Sequence, residues 1–188
     1  DQKVSNVRLA TVRAGNVIGG GDWAKNRIVP DCIKAWVEDD VVEIRNPDST
    51  RPWQHVLEPL SGYLLLAKHL ENNNRLNGEP FNFGPDPYSN YSVLDLITEM
   101  SKYWVKIKWN IEKNIPNSNY EAGLLKLNCD KASFLLNWQS TLSFPQTIKF
   151  TANWYKAFYE NKQSMFGKTC EQIKEYENLF YAKNSKKS

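Results

Sequence analysis

The stretch that most constrains this chain runs Arg13-Ala14-Gly15-Asn16-Val17-Ile18-Gly19-Gly20-Gly21-Asp22-Trp23. It follows an apolar run, Val7 to Val12, that reads as a buried strand. A buried strand that breaks into consecutive glycines fits an open α/β sheet, where ligands sit just beyond the carboxyl ends of strands. Glycine there accepts positive φ and lets a ligand approach without meeting a Cβ. Asn16 stands where strand becomes loop, with an amide able to donate to a phosphate or a sugar hydroxyl.

Downstream, Val29, Cys32, Ile33, Trp36 and Val37 recur at helical spacing, which predicts an amphipathic helix over 26–38. A short strand is expected over 41–44, then a turn-rich segment leading into Arg51-Pro52-Trp53-Gln54-His55-Val56. Leu60, Tyr63, Leu64, Ala67 and Leu70 mark a second helix, and Pro80 to Phe83 a strand entering a Pro-rich loop. Ser92 with Asp95 predicts a capped helix whose buried stripe is Val93, Leu96, Ile97, Met100 and Trp104. Alternation over 107–111 and the run 124–127 read as strands. Asp130 is expected to cap a brief helix, and Ser143 with Gln146 a long one burying Phe144, Ile148, Thr151, Tyr155 and Phe158. One more helix is expected around 171–180 in an otherwise polar, peripheral tail.

Strands alternating with helices predict an α/β fold with a parallel sheet. A central strand as early as residue 7 needs neighbours on both sides, so the chain reads as the second part of a larger α/β protein. Net charge of +3 is too small to argue for nucleic acid, and no apolar run reaches the roughly 20 residues that span a bilayer. Asp1-Gln2-Lys3 does not read as a signal peptide. Three widely spaced cysteines, Cys32, Cys129 and Cys170, fit reduced thiols in a cytoplasm and offer no zinc site.

Four polar residues fall at strand ends or on the loops after them: Asn16, Arg27, Arg51 and Asn82. Arginine suits a pyrophosphate because its charge is permanent and its planar fork donates paired hydrogen bonds. His55 reads as structural, and Glu58 as a helix-start residue. No Gly-x-Gly-x-x-Gly loop, no Gly-Lys-[Ser/Thr] loop and no catalytic Tyr and Lys pair is present, so a dinucleotide pyrophosphate has no seat in these residues.

Together these stretches resemble the C-terminal part of the nucleotide-sugar branch of the extended short-chain dehydrogenase/reductase family, in particular its 4,6-dehydratases that act on CDP-glucose. The resemblance rests on Arg13 to Trp23, Arg27-Ile28-Val29-Pro30-Asp31, Ile44-Arg45-Asn46-Pro47, Arg51 to Tyr63 and Phe81-Asn82-Phe83-Gly84, and covers roughly residues 5–160. It implies the C-terminal part of a Rossmann-like parallel sheet plus a small mixed α/β substrate-binding domain. Residues 1–18 and 51–85 would belong to the first, 19–50 and 86–160 to the second, and 161–188 to a peripheral tail.

The same resemblance implies NAD as cofactor, bound mainly by a preceding Rossmann part that also carries the catalytic Tyr and Lys, so that this chain has no dehydratase activity alone. It implies a CDP-sugar substrate, homo-oligomers, a cytoplasmic setting and a place in deoxysugar biosynthesis. Asn16, Arg51 and Asn82 match pyrophosphate contacts. Arg27, Ile44 and Arg45 match positions near the nucleotide, as do Tyr120 and Glu121, although Tyr120 departs from the histidine expected in its motif. Ala14 and Gly15 match backbone near the nicotinamide. A non-catalytic nucleotide-sugar binding module, or a sister dTDP- or UDP-sugar dehydratase or epimerase, are the alternative readings.

Overall fold

The structure is a computed structural model that describes residues 7–104, 107–111, 125–160 and 164–185. It is mixed α/β. The chain opens with strands β1 (Thr11–Ala14) and β2 (Val17–Ile18), then helix α1 (Ile28–Val37) and strands β3 (Val42–Ile44), β4 (Thr50–Arg51) and β5 (Gln54–His55). Helix α2 (Leu57–Asn72), strands β6 (Pro80–Phe83) and β7 (Tyr91–Ser92), helix α3 (Val93–Ser101) and strand β8 (Trp109–Ile111) follow. Helices α4 (Asp130–Leu136), α5 (Phe144–Glu160) and α6 (Met165–Ser185) complete the described chain.

The strands form short pairs: β1 with β6, β2 with β5 and β3 with β8 are parallel, while β4 with β7 is antiparallel. The expected parallel α/β architecture is therefore present. Its opening strand lies further along than the apolar run suggests. Leu9 instead exchanges hydrogen bonds with the turn before β6, its N–H donating to Asn77 Oδ1 and its carbonyl accepting from Gly78. The ladder begins only at Thr11, opposite Pro80. The run is also not buried: Val7 is 76% and Leu9 64% exposed, because β1 pairs with β6 alone among the described strands.

Other boundaries differ for local reasons. Residues 125–127 form no strand, and 124 lies outside the described residues. The short strands β4 and β5 went unread because two residues carry no period. Helix α3 has the expected reciprocal Ser92–Asp95 capping box. Helix α4 is instead capped from Asn128, whose Oδ1 accepts from the Asp130 N–H, so Asp130 sits inside the first turn. Phe158, expected in the core, is partly exposed on α5 and packs on Trp23.

The largest core joins Ile33 and Trp36 of α1, Leu96, Ile97 and Met100 of α3, and Ile148 and Tyr155 of α5. A second gathers Leu66, Phe81, Phe83, Leu136 and Trp138 between α2, β6 and α4. Helix α6 adds Tyr176 to Leu142 and Phe150. The Tyr176 hydroxyl donates to the buried Glu58 carboxylate, which also accepts from the Thr141 and Leu142 N–H groups. Glu58 thus opens α2, as read from sequence, and also joins α2 to α6. Burial pushes its pKa upward.

Candidate functional site

The site begins where β1 ends. Gly15 lies so close to the next segment that a Cβ would stand 2.8 Å from both the Cγ and the carbonyl oxygen of Pro52. Only glycine lets the two chain segments approach this way. The Asn16 carbonyl then accepts from the Gln54 N–H at 3.0 Å, and Ile18 from Val56 at 2.9 Å, which lays β2 beside β5.

The glycine run serves packing as well as access. A Cβ on Gly20 would sit 2.0 Å from the Trp154 ring, so α5 occupies that space. Gly21 takes φ of +80°, turning the chain into Asp22 and Trp23. Gly19 does face the cavity. The Tyr155 hydroxyl holds this loop by donating to the Asp22 carbonyl at 2.6 Å. Burial pushes that phenol's pKa up, which keeps the proton available for the bond.

Beyond the loop lies a cavity of about 530 Å³ lined by Gly15, Asn16, Asp22, Asn26, Arg27 and Arg51, with Trp53 and Val93 on its walls. Arg51 comes from β4 and is 8% exposed, with Nη1 donating to the Thr50 carbonyl at 2.8 Å. Its strand is fixed by pairing with Tyr91, whose carbonyl also accepts from Trp53 Nε1. Arg27 is more open, and its Nη1 donates to Asp22 Oδ2 at 3.0 Å. Two guanidinium groups and one carboxylate leave the cavity with a positive balance.

The start of α1 adds to this. Asn26 holds φ of 63°, a conformation asparagine tolerates better than most residues, and the helix begins with no side-chain cap from Arg27. Ile28 and Val29, in the first turn of α1, line the cavity, and the N-terminal end of a helix favours an anion. Pro30, the third helical residue, has no N–H to satisfy.

The structure brings Asn16, Arg27, Arg51 and Gly15 to one cavity. Ile44 and Arg45 line a second cavity of about 230 Å³ that shares Asn26, Ile28 and Val93 with the first. Asn82 joins neither: its Nδ2 donates to the Asn128 carbonyl at 3.0 Å, in the loop before α4. Ala14 closes β1 opposite Phe83 and lines neither cavity. Tyr120 and Glu121 lie outside the described residues.

The sequence reading missed Asp22, Asn26 and the open end of α1. An available signal was Asn26-Arg27 standing where a Ser, Thr or Asp cap would otherwise be. His55 is 2% exposed and packs against the Phe150 ring, with Nδ1 accepting from the Leu57 N–H. Burial lowers its pKa to about 4, so it stands as a neutral packing residue. Among the described residues no His, Cys, Asp and Glu group could hold a metal ion, and no helix is long and apolar enough to cross a membrane.

Comparison with known proteins agrees with this architecture. No family model matches the chain. It is 41% identical over 160 residues to a CDP-glucose 4,6-dehydratase of Salmonella typhimurium, covering 85% of this chain and 44% of that protein. It is 27% identical over 169 residues to a UDP-glucose 4-epimerase of Mycoplasma pneumoniae, covering 81% and 48%. The chain thus spans about half the length of the curated relatives it matches.

Among solved structures, a UDP-glucose-4-epimerase of Stenotrophomonas maltophila with bound NAD matches with a TM-score of 0.69 at 17% identity, over 84% of this chain and 50% of that one. A dTDP-glucose 4,6-dehydratase of Bacillus anthracis in complex with NAD matches with a TM-score of 0.62 at 16% identity, over 80% and 45%. This chain therefore has the fold of part of a Rossmann-type extended short-chain dehydrogenase/reductase and is similar in sequence, over 85% of its length, to a CDP-glucose 4,6-dehydratase.

Proposed function

We propose that this chain is the substrate-binding portion of an NAD-dependent 4,6-dehydratase, and that its cavity takes the pyrophosphate of CDP-glucose. The observation that carries the reading is the convergence of Arg51, Asn16, Arg27 and the uncapped α1 start on one cavity of about 530 Å³. A doubly charged group needs fixed donors, and Arg51 is held nearly out of solvent by its strand. Arg27 exchanges Asp22 for the ligand, while Asn16 donates through its amide.

In this reading the whole enzyme oxidises the sugar at C4, eliminates water across C5 and C6, and returns the hydride to C6. NAD supplies the hydride acceptor. By the resemblance, Ala14, which ends β1, and Gly15 after it would meet only an edge of its site, and the sequence has no Gly-x-Gly-x-x-Gly loop. A polypeptide segment carrying that loop and the catalytic Tyr and Lys completes the enzyme, which forms homo-oligomers in a cytoplasmic setting. The chain alone turns over no CDP-glucose.

Calorimetric titration of the chain with CDP-glucose tests the site. Arg51→Ala should weaken binding by about 1.5–3 kcal/mol, roughly ten- to a hundredfold, and Arg51→Lys should recover little because the planar fork is lost. A folded Arg51→Ala chain that binds like the wild type would remove the pyrophosphate assignment. A sister enzyme acting on UDP- or dTDP-sugars would prefer those nucleotides in the same titration.

A further inference from the structure

The second cavity differs in chemistry from the first, although the two adjoin through Asn26, Ile28 and Val93. The larger is lined by both arginines of the site. The smaller, about 230 Å³, is lined by Asp31, Glu43, Ile44, Arg45 and Asn46. If the phosphates occupy the larger cavity, the smaller is the adjoining space into which the nucleoside end can extend. The inference rests on that nucleotide reading.

Glu43 belongs to β3, where Val42 and Ile44 are buried and Glu43 is exposed, so it alternates away from the core. Asn110 Nδ2 donates to its Oε1 at 3.3 Å, steadying the carboxylate from the paired strand β8. Asp31 already serves the first turn of α1. Glu43 is therefore the carboxylate with no helix-end role that lines this cavity.

A carboxylate accepts hydrogen bonds and cannot donate. Cytosine presents an N4 amino group, a donor, where uracil and thymine present the O4 acceptor. The geometry points to Glu43 as the group that selects a cytosine nucleotide, accepting from N4 and repelling O4. Arg45 and Asn46, beside it, supply the donors that the remaining cytosine acceptors need.

The test titrates the chain with CDP, UDP and inorganic pyrophosphate. The wild type should favour CDP over UDP by about tenfold. In Glu43→Gln the amide can donate to O4 or accept from N4, so the preference should fall below about threefold, mainly through tighter UDP binding. A gain for UDP cannot come from misfolding. Glu43→Ala should lower CDP to the affinity of UDP, and pyrophosphate should bind all three chains alike.

An unchanged CDP preference in Glu43→Gln overturns the inference, as does a wild type that binds CDP and UDP equally. In both cases the pyrophosphate site stands so long as Arg51→Ala weakens binding. Loss of pyrophosphate together with both nucleotides in the Glu43 variants makes Glu43 structural and also overturns it. If the wild type binds none of the ligands, the nucleotide reading itself fails and takes this inference with it.

Discussion

Two regions of this molecule contain similar apolar side chains and treat them in opposite ways. In the lobe of α1, α3 and α5, Ile33, Leu96, Ile97 and Ile148 are fully out of solvent. Along β1 and the outer face of α2, Val12, Leu60 and Leu64 remain open, Leu64 at 75%. The first set has its packing partners in the described chain; the second does not. Burial is a property of the neighbours available, and an apolar residue states only a demand for them.

Truncation inside each region gives the largest contrast. Ile97→Ala should cost about 2–5 kcal/mol in urea unfolding, since it removes contacts and leaves a cavity. Leu64→Ala should stay within about 0.5 kcal/mol, because no described neighbour covers it. Equal costs for the two would erase the distinction.

A pH series sharpens it through His55, on the strand that joins the two regions. Its pKa is lowered to about 4 by burial, from an ordinary 6.5. The unfolded chain therefore binds a proton below pH 6.5 that the folded chain refuses. Stability is fully present above that pH and should fall by about 3 kcal/mol on reaching pH 4. The raised pKa of Glu58 acts in the opposite sense, its stabilising contribution being present below its unfolded value and lost as pH rises. His55→Asn keeps an acceptor near the Leu57 N–H, and the difference from wild type between pH 7 and 4 isolates the histidine. A wild type whose acid profile matches His55→Asn would mean that His55 protonates in place.

Gly20 tests how tightly the closed lobe holds the cavity loop. Gly20→Ala should cost about 1–3 kcal/mol by forcing the Trp154 ring aside. A second change, Trp154→Ala, should make the alanine nearly neutral, a coupling that a double-mutant cycle reads directly. Additive effects would place the strain elsewhere.

The smallest effect concerns the open edge. Val12→Lys should leave unfolding within about 0.5 kcal/mol and lower concentration-dependent association in light scattering, because charge on a strand that pairs on one side alone among the described strands discourages edge pairing. Unchanged association would mean that β1 is not the sticky surface.

Much of the fold was legible where local chemistry acts over a few residues. The apolar spacing of α1 and α3 and the Ser92–Asp95 box needed no distant partner. Helix α6 was harder to bound, because it runs over 165–185 while only Gln172 and Tyr176 are buried, which leaves little periodicity to read. At the site, Asn16 and Arg51 could be picked out by residue type at strand ends. Asn82 shared that signature, yet its amide turns to the Asn128 carbonyl, a partner 46 positions away.

The sequence by itself determined the amphipathic helices α1 and α3, the Ser92–Asp95 cap and the cationic residues on offer, because these follow from side-chain chemistry and short-range backbone geometry. Tertiary structure alone decided that the glycine run receives Trp154, that the open start of α1 faces the same cavity as Arg51, and that Glu58 binds α6. Each of those contacts joins segments far apart in the chain, and no local propensity specifies which of many compatible side chains will meet there.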